Sequence, residues 1–331
     1  MEDLKVAVIG TGHLGAIHSR LWKNNKDASL IGVYDIEEKR KNVIAKELKC
    51  KAFAVLDELL SNCDAVTIAV PTVNHFEIAK ICIESNIHCF IEKPITDTYA
   101  QAKQLIALAK EKNVIIQVGH VERFNPALAA LGKYKLNPMF IEAHRLSQFK
   151  SRAIDVSVVH DLMIHDIDIM LWLIKSSVDT IDANGVAVIT NTPDIANARI
   201  KFKNGAVANL TASRISAHPM RKMRIFQPNA YISIDFGNQD VEVFRIVEKE
   251  EKTIGKVVPA TMLGDLASAL KNKNIVYDKP KVKSINAIEE EQKAFIETIK
   301  NGTDVAVSAE EAAQALQIAE LIAQQIAGFS I

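Results

Sequence analysis

The sequence predicts an α/β chain: a doubly wound parallel sheet in its first third, then an α+β domain built on an open, mainly antiparallel sheet. Three observations carry that expectation. Short apolar runs alternate with amphipathic helical stretches from residue 4 to about 120. After "RFNPALAALGKYKLNP" the rhythm changes to one long apolar helix followed by several strands in succession. Gly10, Gly12 and Gly15 lie directly after the first strand and at the opening of the first helix.

Taken in order, "LKVAVIG", "LIGVYD", "KAFAV", "AVTIAV", "HCFIEK" and "VIIQVGH" read as strands, and the stretches between them carry the helical period. Most of these strands are apolar on both faces, as strands of a sheet covered on both sides by helices must be. A first domain over 1–122 and a second over 123–331 follow. The second opens with the strand "MFIEAHRLS" and a helix over roughly 157–174, then alternates in "VDTIDANGVAVI", "IANARIKF", "AVANLTASRIS", "MRKMRIF", "YISIDF" and "DVEVFRI". Asn204-Gly205 marks a tight hairpin between two of these strands. The charged stretch "VEKEEKTIGK" reads as a solvated edge or loop. Two helices close the chain, the second opened by a capping box in which Ser308 and Glu311 satisfy each other's backbone N–H groups.

With 331 residues, 48% of them hydrophobic, the chain can bury the cores of two domains. Forty basic residues balance forty acidic ones, so no overall field draws it to nucleic acid or to an anionic membrane. The start, "MEDLKVAVIGTGHLG", lacks a basic region leading into a long apolar stretch, and no window reaches transmembrane length. A soluble, cytoplasmic protein is expected. Cys50, Cys63, Cys82 and Cys89 form no C-x-x-C pair and read as reduced structural thiols, so neither a disulfide framework nor a metal site is expected.

The glycine spacing has a specific use. An absent side chain at Gly10 permits the turn, one at Gly12 lets a pyrophosphate approach the backbone, and one at Gly15 lets helix pack on strand. The helix N-terminus then favours the ligand's negative charge, with Thr11, His13 and Leu14 completing the turn. Asp35 closes the second strand twenty residues after Gly15, where a carboxylate would accept a hydrogen bond from the adenosine ribose and repel a 2′-phosphate. NAD is therefore favoured over NADP, a preference that Arg40 moderates. Later strands carry polar or turn residues at their carboxyl ends, where open α/β sheets bind ligands: Val70, Pro71, Thr72, Asn74 and His75, then Glu92 and Lys93, then Gly119 and His120. Lys93 precedes Pro94 and is held extended, so its ammonium would project from the strand end toward the nicotinamide side.

The run "DVSVVHDLMIHDIDIMLWLI" places polar groups in an apolar helix. Asp161, His165 and Asp168 are spaced i, i+4 and i+7 and share one helical face. Three readings stand side by side: a buried histidine and its carboxylates tying the helix to its neighbours, a metal site using His160, Asp161, His165, Asp166 and Asp168, or a general base at His165 oriented by a carboxylate beside a nicotinamide. His160 and His165 are five apart and lie off a common face, which counts against the metal. A metal-dependent hydrolase would also leave the glycines and Asp35 without a use.

With "GTGHLG", "EKP" and the D-x-x-x-H-D element in this order, the chain resembles the glucose-fructose oxidoreductase/inositol dehydrogenase/MocA family over essentially its full length. The resemblance implies a Rossmann domain, a second domain that holds substrate and often serves dimer or tetramer contacts, and an NAD-dependent sugar dehydrogenase. It implies that Lys93 of "EKP" hydrogen-bonds the reacting oxygen, that His165 takes the hydroxyl proton, and that Asp161 orients the site, with Asp168 supporting the helix and Asp166 solvated. Within the family, "VGHVERFNPA" and "DVSVVHDLMIHDIDI" look most like the branch that oxidises nucleotide-activated amino sugars, such as UDP-N-acetylglucosamine 3-dehydrogenases, on the 3-hydroxyl. A diphosphate substrate needs cations, and Lys150, Arg152, Arg214, Arg221 and Arg224 are candidates, with Arg123 and Asn125 at the domain junction placed to touch cofactor or sugar. Inositol, free-sugar or dihydrodiol dehydrogenases are the alternatives in the same fold. A non-catalytic NAD-binding sensor is a further alternative, and it would have no need of Lys93 and His165 together.

Overall fold

The computed structural model describes residues 3–149, 156–250, 254–259 and 273–328. The first stretch runs β1 (Leu4–Ile9), α1 (His13–Asn24), β2 (Ala28–Tyr34), α2 (Glu38–Leu48), β3 (Lys51–Ala52), α3 (Leu56–Leu60), β4 (Ala65–Ile68), a 3-10 turn at Thr72–Asn74, α4 (His75–Glu84), β5 (His88–Glu92), α5 (Tyr99–Lys112) and β6 (Ile116–Gly119). After a 3-10 turn at Val121–Phe124 come α6 (Pro126–Ala129), β7 (Phe140–Leu146), a π-helical turn at Val159–Met163, and α7 (Ile164–Ile174). Then follow β8 (Val178–Val186), β9 (Ile195–Phe202), β10 (Val207–Ser213), β11 (Met220–Gln227), β12 (Ala230–Asp235), β13 (Asp240–Glu248), β14 (Lys256–Val258) and β15 (Lys273–Asp278). The helices α8 (Ala287–Asn301) and α9 (Ala309–Ala327) come last.

The chain forms two compact units: Met1–Phe124 with Ile285–Glu320, and Asn125–Ser284 with Leu321–Ile331. In the first, six strands pair in the order β3-β2-β1-β4-β5-β6, all parallel. The order reverses between β1 and β4, and the crevice at the carboxyl ends of two such strands is where open α/β sheets take a ligand. Strand β1 shows why both faces must be covered. Val6 and Val8 pack with Trp22, Ile44 and Phe295 on one side, while Ala7 and Ile9 pack with Leu59, Ile83, Leu105 and Leu316 on the other.

The return of residues 285–320 to this unit departs from the expectation of one second domain over 123–331. Its cause is apolar area. Phe295 and Ile296 of α8 complete one face of the parallel sheet, and Val307, Ala309, Ala312, Ala313 and Leu316 complete the other. Ser308 and Glu311 form the expected capping box, Ser308 N–H donating to Glu311 Oε2 at 3.1 Å and Glu311 N–H to Ser308 Oγ at 3.2 Å.

The second unit is built on a nine-stranded sheet in the order β14-β15-β13-β12-β11-β7-β10-β9-β8. All pairs are antiparallel except β7 with β10. Alternation is strict in β7 and β9. Ile141 and Ala143 of β7, Ala198 and Ile200 of β9, Ala208 and Leu210 of β10 and Met223 and Ile225 of β11 are buried, and α7 packs on β7 and β10. The hairpin between β9 and β10 closes as expected: Gly205 adopts φ 87° and Asn204 Oδ1 accepts from Ala206 N–H at 3.1 Å. Strands β14 and β15 were not among those expected. The first lies at the end of the charged stretch read as an edge or loop, and the second, "KNIVYD", is a short run whose pairing with β13 supplies what its own pattern does not. Among the described residues, no helix is long and apolar enough to cross a membrane.

Candidate active site and cofactor cradle

The turn after β1 has the shape its glycines require. Gly10 adopts φ 90°, and a Cβ there would lie 2.7 Å from the carbonyl oxygen of Ala69 just beyond β4. A Cβ on Gly15 would lie 1.8 Å from Gly10 O, so any side chain would force α1 away from the turn. A Cβ on Gly12 would meet nothing within 4 Å, leaving open space over the N-terminus of α1, where Gly12 caps the helix without a side-chain bond. Unfilled backbone donors beside open space are what a pyrophosphate needs. His13 and Leu14 are exposed at this helix start.

Asp35 follows β2 and is held rigidly. Its Oδ2 accepts from Thr11 N–H at 2.6 Å and Thr11 Oγ1 at 2.9 Å, and its Oδ1 accepts from Glu37 N–H at 2.8 Å. Burial alone would push this carboxyl up; the backbone N–H groups of Thr11 and Glu37 outweigh it and hold the group below its ordinary value. Asp35 therefore stays ionised, and Oδ1, which accepts one hydrogen bond, keeps acceptor capacity for a ribose hydroxyl. Arg40 is turned to Glu37 at 2.7 Å. The residues present fit NAD.

Beyond β4, Val70 and Thr72 are half-buried and Pro71 is exposed. His75 is used inside the protein: Nδ1 lies 2.8 Å from Pro94 O and Nε2 2.9 Å from Val70 O, so the ring ties the start of α4 to two strand ends. Burial pushes its pKa down despite the two carbonyl acceptors. Glu92 likewise turns inward, accepting from His18 Nε2 at 2.7 Å through Oε1. His75 and Glu92, both expected beside a cofactor, are thus buried and bonded to protein groups. Lys93, half-buried at the end of β5, is joined to Pro94 by a cis peptide bond.

In the second unit, Asp161 and His165 are both partly exposed, Asp161 within the π-helical turn and His165 two residues past its end, the second residue of α7. A π-turn widens the helix by one residue and recurs at functional sites. It also corrects the uniform helix expected over 157–174. Asp168, expected on the face of Asp161 and His165, is only 1% exposed and belongs to the core. Asp166, expected to be solvated, is buried and accepts from Arg145 twice, Nε to Oδ2 at 3.0 Å and Nη2 to Oδ1 at 2.8 Å. This bidentate pair clamps α7, and with it the backbone beside His165, to β7. Arg145 was missed. The signal was available in "FIEAHRL", whose alternation places Arg145 on the buried side with Ile141 and Ala143.

The candidate cations are mostly committed elsewhere. Arg123 pairs with Glu311 at 3.1 Å, and Arg214 is buried, donating to Val156 O at 2.5 Å just before the π-turn. Arg224 pairs with Glu142 at 3.1 Å, while Arg221 is exposed on β11. Asn125 is buried as the N-cap of α6, accepting from Ala127 N–H at 3.0 Å and donating to Phe236 O at 3.3 Å. Lys150 and Arg152 lie outside the described residues.

Comparison with known proteins agrees with this construction. Residues 4–120 match the model of the Gfo/Idh/MocA oxidoreductase family, described as an NAD-binding Rossmann fold, and residues 130–233 match the family's C-terminal domain. The chain is 40% identical over 245 residues to a UDP-N-acetylglucosamine 3-dehydrogenase of Acidithiobacillus ferrooxidans, covering 74% of this chain and 78% of that one. A solved structure of a UDP-N-acetylglucosamine 3-dehydrogenase from the same organism superposes with a TM-score of 0.87 at 32% identity, covering 99% of each chain. A myo-inositol 2-dehydrogenase of Thermotoga maritima is 25% identical, covering 95% of this chain and 93% of that one. Glycine turn, anchored Asp35, strand order and family match converge: the chain belongs to the Gfo/Idh/MocA family of oxidoreductases, and its first unit is the family's NAD-binding Rossmann fold.

Proposed function

We propose that the protein oxidises a secondary hydroxyl of a nucleotide-activated amino sugar, with the 3-hydroxyl of UDP-N-acetylglucosamine as the first candidate. The observation that supports this most is the pairing of 40% identity over 74% of the chain with a full-length structural match to enzymes of that name. NAD, held by the turn at Gly10–Gly15 and by Asp35, supplies the hydride acceptor. The chain's own residues handle the proton and the oxygen. His165 Nε2 or Nδ1 takes the hydroxyl proton, Asp161 orients the imidazole, and Lys93 donates a hydrogen bond to the oxygen as it becomes a carbonyl.

Among the cations, Arg221 is exposed on β11 and so open to a substrate phosphate, whereas Arg214 is buried and the Arg123 side chain is 5% exposed. Incubation with NAD and UDP-N-acetylglucosamine should yield a sugar nucleotide lighter by two hydrogens on mass spectrometry. Recovery of unchanged sugar, alongside oxidation of an inositol, would shift the assignment to the activity named for the Thermotoga maritima relative. The working form is a homodimer or homotetramer, as the family resemblance implies, and the sequence reading makes it cytoplasmic, with no nucleic-acid or membrane partner.

A further inference from the structure

An acid cluster lies beneath the strand end that carries Lys93. Glu92 Oε1 accepts from His18 Nε2 at 2.7 Å, and its Oε2 accepts from the Lys93 backbone N–H at 3.2 Å. Gly119 leaves room for this carboxylate, since a Cβ there would stand 3.2 Å from Glu92 Oε2. On its other side the His18 ring meets Gln292 Nε2, 3.1 Å from Nδ1. The same amide nitrogen is 3.2 Å from the His18 carbonyl, which only accepts. Gln292 therefore presents its NH2, His18 Nδ1 is the acceptor nitrogen, and Nε2 carries the hydrogen given to Glu92. The network offers no acceptor for a second ring proton.

Glu291, the preceding residue of α8, completes the cluster. It is 0% exposed, and one of its carboxyl oxygens, a His18 nitrogen and a Glu92 oxygen all lie within 4.8 Å of one another. Its carbonyl accepts from Gln117 Nε2 at 2.7 Å, so the backbone holds the side chain in place. Neither carboxyl oxygen has a hydrogen-bond partner among the described residues. An ionised carboxylate there would be buried, undonated and beside a second carboxylate, and two carboxyls in that situation do not both ionise.

We propose that Glu92 and Glu291 form a one-proton carboxyl pair, with the proton on Glu291 and the charge on Glu92, so that a single negative charge stands beside the Lys93 backbone at neutral pH. Burial, and then the charge of Glu92, push Glu291 well above the usual carboxyl range. Burial acts upward on Glu92 too, but the His18 hydrogen bond, the Lys93 charge and the Lys93 backbone N–H bring it below that range. Of the other titratable or charged groups on these elements, His120 and Glu122 after β6 are buried, as is Cys89 within β5, and Arg123 is paired with Glu311. His13, Arg20 and Lys23 of α1 and Lys293 and Glu297 of α8 are exposed, and His88, Glu289, Glu290 and Lys300 are partly exposed. Resting on the reading of Lys93 as the lysine of the reaction, Glu291 is a positioning residue that acts through Glu92.

A carboxyl whose folded value is raised contributes stability below its unfolded value and loses it as pH rises toward the folded one. Relative to Glu291→Gln, the wild-type folding constant should therefore fall about tenfold per pH unit above the ordinary carboxyl range until Glu291 ionises. Infrared difference spectra should show a protonated-carboxyl band in the wild type at neutral pH that is absent from Glu291→Gln. The alkaline limb of kcat should move to higher pH in the variant, whose pair cannot gain a second charge. Absence of the band in the wild type, its survival in Glu291→Gln, or a stoichiometric divalent metal lost in that variant would overturn the pair. The wild-type band, followed as pH rises, decides the matter even if the variant does not fold. The spectra and unfolding curves need no turnover, so a wrong substrate shows only in the kinetics.

Discussion

At the scale of single residues, the roles proposed here separate binding from chemistry. Asp35 and the turn glycines belong to the cofactor, whereas Lys93 and His165 are assigned to the reacting oxygen and its proton. Lys93→Ala and His165→Ala should each keep NAD affinity near the wild-type value in calorimetry while lowering kcat by about 10²–10⁴-fold. Wild-type turnover in both would remove these assignments. Gly10, Gly12, Gly15 and Asp35 were legible because each needs only its own spacing and a strand before it. His18, Glu291 and Gln292 were not, because each looks like an ordinary helical polar residue until three distant segments meet. A faint signal existed in α1, where His18 falls on the same buried side as Gly15 and Trp22.

At the scale of elements, ionic anchors hold α7 to its sheet and fix the turn after β8. The Arg145–Asp166 pair lies in the core between β7 and α7, with side chains 6% and 5% exposed. Removing one partner strands the other charge in the core, so Asp166→Asn should destabilise the protein by about 3–5 kcal/mol in denaturant titration. Arg145→Met with Asp166→Leu should recover most of that loss, because an apolar pair of similar volume has no desolvation cost to offset.

A second anchor is Asp194, whose Oδ2 accepts from the N–H groups of Val188, Ile189 and Thr190 at 2.8, 2.6 and 3.0 Å. Burial would raise its pKa, but these donors bring it down to about 2. A depressed carboxyl stabilises above its unfolded value and loses that contribution as pH falls through the folded one. The stability gap between wild type and Asp194→Asn should be about 2 kcal/mol near neutrality and close as pH falls from about 4 to 2. The strand pattern around these anchors was legible in the alternation. The π-turn was not, because its extra residue depends on how α7 docks on the sheet rather than on any period in "VVHDLMIHD".

At the scale of the whole molecule, the fold class was legible because parallel strands covered on both faces and half-covered antiparallel strands leave different hydrophobic periods. The assignment of α8 and α9 to the first unit was not, since an amphipathic helix shows that it has an apolar face but not which sheet receives it. The first unit is a Rossmann sheet whose strand ends and helix N-terminus suit a dinucleotide, and the second is an open sheet on which α7, with His165, packs. The central claim is that this pairing dehydrogenates a nucleotide sugar. Its most direct test is absorbance at the reduced-nicotinamide band while the purified protein and NAD meet UDP-amino sugars, free sugars and inositols in turn. The account predicts a rise with UDP-N-acetylglucosamine; a rise with inositol or a free sugar alone, or with none of them while NAD binds, would contradict it.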